Sequence, residues 1–346
     1  MRVEFKYMVG SLPKKLSVGV AGLGRIGRLH AEVFFSKVEN ACLVAVMDVI
    51  EDLAKGVASI YGVKAYTDYQ KMLADDEVEA VVICTPTWLH KDMIIQAAEA
   101  GKHVFTEKPM TVTVKEADEV LSKVSKAGVK LQVGYMRRFD YAFSQAKKAI
   151  EEGSIGKPLV FIGLARDPSA PPGWAADPKK SGGIFLDMLS HDFDMARWLM
   201  GSEVKRVYVN GGAYLWDEIK EKGDLDVVNI NFEFENGALG FIHGTRKNTF
   251  GYYLRTEVYG SEGTVFVGAA ADPMYSIGTK DGMTYGGYQW FMKRFYDAYV
   301  EEDRHFAEVV LEDKEPLISG IDGKRAVEIA EACWKSVKEK KPVDVF

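Results

Sequence analysis

Between residues 16 and 135 the chain alternates two patterns. Short apolar runs at 16–21, 41–48, 80–85, 103–107 and 130–134 read as strands. Segments at 26–37, 53–61, 88–100 and 114–126 carry apolar residues at helical spacing. The strands are apolar on both faces, which predicts a parallel sheet covered by helices on each side.

The pattern changes after Gly134. An amphipathic helix at 139–152 ends at Gly153, and Lys157-Pro158 opens strands of another kind. Val228, Ile230, Phe232 and Phe234 alternate with Asn229, Asn231, Glu233 and Glu235, so one face is buried and one is wet. Asn236-Gly237 supplies residues that tolerate positive φ, predicting a hairpin between strands 227–235 and 238–245. Further strands are predicted at 204–214, 252–259 and 264–267, and closing helices at 290–311 and 323–340. The expected architecture is an α/β, doubly wound parallel sheet followed by an α+β domain with a large, mostly antiparallel open sheet. The boundaries drawn are a lead-in at 1–15, a first domain at 16–135 and a second at 136–346, whose last helices can pack back on the first.

Composition narrows the function. A chain of 346 residues has room for two domains. The formal charge of −6, with only short basic runs, argues against sequence-independent nucleic-acid binding. No apolar stretch approaches the ~18 residues of a membrane helix. The N-terminus lacks the apolar core of a secretory signal. Cys42, Cys84 and Cys333 share no CxxC spacing, so neither a disulfide framework nor a structural zinc site is expected. A reducing cytoplasm is the expected compartment.

Gly22-Leu23-Gly24-Arg25-Ile26-Gly27 directly follows the first strand and opens the first helix. In that position the glycines permit a tight turn, close approach of a pyrophosphate, and close packing of helix on strand. Asp48 ends the second strand, 21 residues past Gly27. A carboxylate there accepts bonds from ribose hydroxyls and repels a 2′-phosphate, so NAD is expected over NADP. The first domain is therefore read as a Rossmann domain.

Gly22 to Gly27, then Thr85-Pro86, Glu107-Lys108-Pro109, and the run from Gly183 through Asp187 to His191 resemble the Gfo/Idh/MocA oxidoreductases. Val133 through Asp140 is similar to the inositol dehydrogenase branch of that family. The resemblance implies an NAD-dependent dehydrogenase that oxidises a secondary hydroxyl of a cyclic polyol, with myo-inositol to 2-keto-myo-inositol as the first expectation. Scyllo-inositol or another sugar is the alternative. An NAD-using glycosidase and a non-catalytic dinucleotide-binding regulator are lesser ones. The resemblance also implies a homo-oligomer, dimer or tetramer, built through the open sheet.

Lys108 follows a parallel strand, where α/β sheets place ligands, and Pro109 restricts its backbone. The residues alone leave it equally a surface lysine before a turn. Asp187 and His191 stand four apart in an apolar setting, which on a helix places them on one face. A metal site of His191 with Asp192 or Asp194 is disfavoured, since the two acids cannot both share the His191 face. The resemblance implies that Lys108, Asp187 and His191 are catalytic. His191 would take the hydroxyl proton, Lys108 would stabilise alkoxide charge, and Asp187 would orient His191 or bind a neighbouring hydroxyl. The expected cofactor contacts are Gly22, Gly24, Arg25, Ile26, Gly27, Asp48, Thr85, Pro86, Glu107 and Lys108. Arg137, Asp167 and Tyr252 fit a polyol pocket, with ordinary readings as an ion-pair partner, a turn residue and sheet packing. Trp174, in the Pro-rich loop 170–177, departs from the inositol pattern. His90 is read as a possible edge of the cofactor site, and His30, His103, His243 and His305 have no partner pattern.

Overall fold

The computed structural model describes residues 14–268, 275–279 and 282–346, so most of the lead-in lies outside the described residues. Strands β1 (Leu16–Ala21), β2 (Ala41–Met47), β3 (Lys64–Tyr66), β4 (Ala80–Ile83), β5 (His103–Glu107) and β6 (Leu131–Gly134) form a six-stranded parallel sheet. Their order is β3-β2-β1-β4-β5-β6. Helices α1 (Arg25–Ser36), α2 (Glu51–Tyr61), α3 (His90–Glu99) and α4 (Val114–Ala127) make the crossovers. Every residue of β4 is 0% exposed, the reason its sequence carries no polar alternation. The order reverses between β1 and β4, and the crevice beyond their carboxyl ends is where such sheets take ligands. The edge strand β3 escaped the sequence reading because it is three residues long and largely exposed.

The second sheet uses β7 (Pro158–Arg166), β8 (Val204–Gly212), β9 (Val227–Phe234), β10 (Leu239–Thr245), β11 (Tyr253–Gly260) and β12 (Thr264–Val267). β13 (Tyr275–Thr279) and β14 (Gly282–Gly286) pair with each other, and β15 (Val343–Asp344) joins β8. The seven-stranded order is β12-β11-β7-β10-β9-β8-β15, antiparallel except for β7 beside β10. The 227–245 hairpin forms, but Gly237 alone of its turn pair takes positive φ, at 83°. Asn236 instead accepts the Ala238 N–H through Oδ1 at 3.0 Å.

Phe161, Gly163 and Ala165 of β7 are buried under helix α6 (Ser190–Met200), while Val160, Ile162 and Leu164 point to the open face. Of the remaining helices, α5 is Tyr141–Glu151, α7 is Tyr296–Leu311 and α8 is Gly320–Glu339. The closing helix expected over 290–311 is divided at Phe295, where φ is −113°. Both closing helices pack back on the first sheet. Gln132 of β6 donates to the Glu302 carbonyl at 3.0 Å, and Glu331 accepts the Val114 N–H at 2.8 Å.

Candidate active site

The glycine loop is built for close approach. Gly22 sits at φ +89°, and a Cβ there would lie 2.8 Å from the backbone of Cys84 and Thr85. A Cβ on Gly27 would meet the Gly22 carbonyl oxygen at 1.7 Å, so the helix packs only with glycine there. Gly24 is different, since a Cβ on it would meet nothing within 4 Å. It faces open space at the N-terminus of α1, which has no side-chain cap and no acid in its first turn. The free N–H groups and the dipole there suit a pyrophosphate, so these residues fit a dinucleotide. Asp48 closes the loop from β2. Its carboxylate accepts the Leu23 N–H at 2.8 Å and the Ile50 N–H at 3.0 Å.

A cleft of about 510 Å³ runs from this loop to the second sheet. Arg25, Ile26, Thr85, Glu107 and Lys108 line it from the first half of the chain, and Arg137, Asp167, Asp187, His191 and Tyr252 from the second. His90 lines it as well, with its ring nitrogens 2.8 and 2.7 Å from the carbonyl oxygens of Pro109 and Thr85. Gly22, Gly24, Gly27, Asp48 and Pro86 lie outside its lining. The Lys108–Pro109 peptide is cis, and the Lys108 ammonium donates to the Asp187 carbonyl at 2.6 Å.

Asp187 and His191 do reach one cleft, although not as neighbours on an unbroken α-helix. Ile184–Met188 is a π-turn, closed by the Leu189 N–H bonding the Ile184 carbonyl at 3.0 Å, and α6 starts only after it. Among the described residues Asp187 bonds Arg246 and not His191. Its Oδ2 accepts from Arg246 at 2.9 Å, while the His191 Nδ1 has no hydrogen-bond partner. Arg246 is 1% exposed and also donates to Asp224 at 3.1 Å, and Asp224 in turn accepts the Ile184 N–H at 2.9 Å. This brace was missed in the sequence. Its only trace is an arginine directly after a strand whose alternation has already ended.

Burial holds the His191 imidazole well below the ordinary 6.5, and the cations Lys108 and Arg137 push it further down. It is a neutral base at pH 7. Burial raises the Asp167 carboxyl to about 6, and Asp187 adds to this, while Arg246, Lys108 and Arg137 oppose it. Arg137 lines the cleft, and it is ion-paired to Asp192 at 3.0 Å and lies 3.4 Å from the Tyr252 hydroxyl. Asp194 is held by Arg138 at 2.9 Å.

His30 has partners after all. Its Nδ1 lies 2.8 Å from Asp303 of α7 and its Nε2 3.2 Å from Glu107, binding α1, β5 and α7 together behind the cleft. Burial lowers its pKa, but the Asp303 and Glu107 carboxylates outweigh that and hold it well above 6.5. The signal lay 273 residues away, beyond any local pattern.

Residues 16–135 match the oxidoreductase family with an NAD-binding Rossmann fold, and residues 143–266 match the GFO/IDH/MocA C-terminal domain. The chain belongs to the GFO/IDH/MocA oxidoreductase family. It is 40% identical to the myo-inositol 2-dehydrogenase of Thermotoga maritima over 95% of this chain and 98% of that protein. It is 39% identical to the scyllo-inositol 2-dehydrogenase (NAD(+)) of Bacillus subtilis, over 94% of this chain and 95% of that one. Among solved structures it is similar to scyllo-inositol dehydrogenase from Lactobacillus casei with bound NAD(H) and scyllo-inositol. That similarity has a TM-score of 0.89 at 28% identity, covering 96% of this chain and 99% of that one. As a member of this family the chain is an NAD-dependent oxidoreductase.

Proposed function

We propose that this enzyme oxidises one secondary hydroxyl of a cyclic polyol with NAD, first of all myo-inositol to 2-keto-myo-inositol, with scyllo-inositol as the second candidate. The observation that carries the reading is the meeting of Lys108, Asp187 and a neutral His191 in one cleft that continues from the glycine loop. The names of the relatives at about 40% identity support the substrate class.

NAD, when bound, supplies the hydride acceptor. Every other part of the reaction falls to the chain. The substrate hydroxyl gives its proton to the neutral imidazole of His191 as the carbon–hydrogen bond breaks. Lys108, fixed on the Asp187 carbonyl, stabilises the alkoxide charge as it develops. Asp187, fixed by Arg246, offers its remaining lone pairs to a neighbouring hydroxyl. Arg137, Asp167 and Tyr252 take the other hydroxyls of the ring. Gly22, Gly24, Gly27, Arg25, Ile26, Thr85, Pro86 and Glu107 hold the cofactor, and Asp48 holds the ribose and excludes a 2′-phosphate.

We assign the working unit to the cytoplasm as a homo-oligomer, a dimer or tetramer formed through the open face of the second sheet, with functional domains at 16–135 and 136–346. The face supports this. Leu239 at 57% exposed and Tyr259 at 37% flank Val160 in register, and Phe266 beside them is 58% exposed. That is an apolar stripe of the kind that marks an interface.

The test is absorbance at 340 nm with a panel of inositol isomers and pyranoses, each with NAD and with NADP. Steady NADH formation with an inositol, and weaker use of NADP, is the expected result. Glycoside hydrolysis without net NADH would move the reading to an NAD-using glycosidase. Dinucleotide binding with no turnover of any kind would move it to a regulator.

A further inference from the structure

Trp174 does nothing in the reaction described above, yet it lines the same cleft as Lys108, Asp187 and His191. It stands in the loop 170–177, which the structure ties down at several points. Lys222 donates to the Gly173 carbonyl at 2.7 Å, and the Ser181 hydroxyl donates to the Ala175 carbonyl at 2.7 Å. Ala175 and Ala176 behind it are 1% and 3% exposed, and Pro171 and Pro172 before it limit the backbone. The indole packs edge-to-face on Trp88 of the first half, with ring centroids 5.3 Å apart at 72°. Lys180 sits over the other ring of the pair, 5.3 Å from the Trp88 centroid. The pair thus joins the two halves of the chain at the cleft.

The cleft therefore has two chemistries. One wall carries charges for hydroxyl groups, and the other offers an aromatic surface held in place. A cyclic polyol in its chair form has the same division, with equatorial hydroxyls around the rim and axial C–H groups on its faces. We propose that Trp174 is a specificity-determining residue, a platform that stacks on the C–H face of the substrate ring and selects rings over open-chain polyols. This rests on the cyclic-polyol reading above. An axial hydroxyl on the stacked face would be buried against indole carbon with no partner, so the platform also disfavours isomers that must present one there. An open-chain hexitol offers the same hydroxyls but no flat face to cover.

The experiment compares wild type, Trp174→Ala and Trp174→Phe for initial rates with NAD on myo-inositol, scyllo-inositol and sorbitol. Dissociation constants for NADH are measured alongside. Trp174→Ala is expected to raise KM for its best inositol about tenfold, the size typical of a tryptophan anchor. Its kcat should stay within about threefold and NADH affinity unchanged, because the platform touches neither the reacting atoms nor the glycine loop. Its preference for inositol over sorbitol should shrink by a similar factor, and Trp174→Phe should recover most of both. If the alanine variant does not fold, Trp174→Leu carries the same comparison with an apolar but non-aromatic side chain. An unchanged KM in a folded variant, or a loss of NADH affinity that phenylalanine does not rescue, overturns the platform. A wild type that reduces NAD with no inositol overturns the substrate reading and the platform with it. A wild type that is active while its variants keep their ring preference overturns the platform alone.

Discussion

The two walls of the cleft are made by opposite means. The cofactor wall is backbone. Gly22 and Gly27 lack a side chain so that backbone can pack close, and Gly24 leaves open space at the start of α1, whose first turn has no side-chain cap. The substrate wall is side chain, and its charges come in braced pairs: Asp187 with Arg246, Arg246 with Asp224, Arg137 with Asp192. A backbone wall can be specified by consecutive residues, because the groups that bind are neighbours on one turn. A charged wall inside a low-dielectric interior needs a counter-charge for each member, and these come from wherever the fold brings them. The difference predicts that the walls can be broken separately.

The largest break is His191→Ala. A general base contributes typically about 10²–10⁴-fold, so kcat/KM for oxidation should fall by that order at pH 7–8 with NAD affinity intact. The depressed pKa sets the pH behaviour. His191 is already neutral at pH 7, so its own protonation removes activity only well below 6.5. A fall in the wild-type rate near pH 6 belongs to a buried carboxyl, Asp167 or Asp303, each raised to about 6, and not to His191. A variant with near-normal turnover, or with weakened NAD binding as its sole defect, would refute the assignment.

Gly24→Val should break the other wall. The backbone at Gly24 is extended and nothing lies within 4 Å of a Cβ, so the fold accepts the side chain. The space it fills is the approach of the pyrophosphate. Fluorescence titration should show NADH binding weakened by about tenfold or more, a change of 1.4 kcal/mol or greater. Melting temperature without cofactor should hold. Equal NADH affinity in the two proteins would move the phosphates elsewhere.

The smallest effect is one of stability. The Asp167 carboxyl has a folded pKa of about 6 against an ordinary 3.8, so its ionised form is disfavoured in the folded state. Above pH 6 both states are ionised and the cost is fully present. As pH falls from 6 toward 3.8 the folded protein takes up the proton first, and the cost disappears. Asp167→Asn should therefore raise the melting temperature of the cofactor-free enzyme by about 2–4 °C at pH 7.5 and by less at pH 5. The same variant should raise KM for the polyol. A stabilisation that does not shrink at pH 5 would show that the gain comes from packing and not from the charge.

Sequence alone determined the parts that depend on neighbours along the chain. The apolar runs marked five of the first sheet's six strands, β3 excepted, because strands buried on both faces admit no polar alternation. The glycine loop and Asp48 pointed to a dinucleotide turn, because its geometry is local. Motifs in order also brought Lys108, Asp187 and His191 to notice. Only the tertiary structure decided how those groups are held and charged. Arg246 braces Asp187 from 59 residues away, and Asp303 holds His30 across 273, distances at which no periodicity survives. The direction of the His191 shift was likewise undecidable from sequence, since Asp187 would have favoured the imidazolium and Lys108 opposed it. Folding turned the Asp187 carboxylate to Arg246 and left the imidazole buried beside two cations, so the balance fell to the neutral base. Electrostatics in an interior depends on burial and on distance through space, and neither is a property of position in the chain.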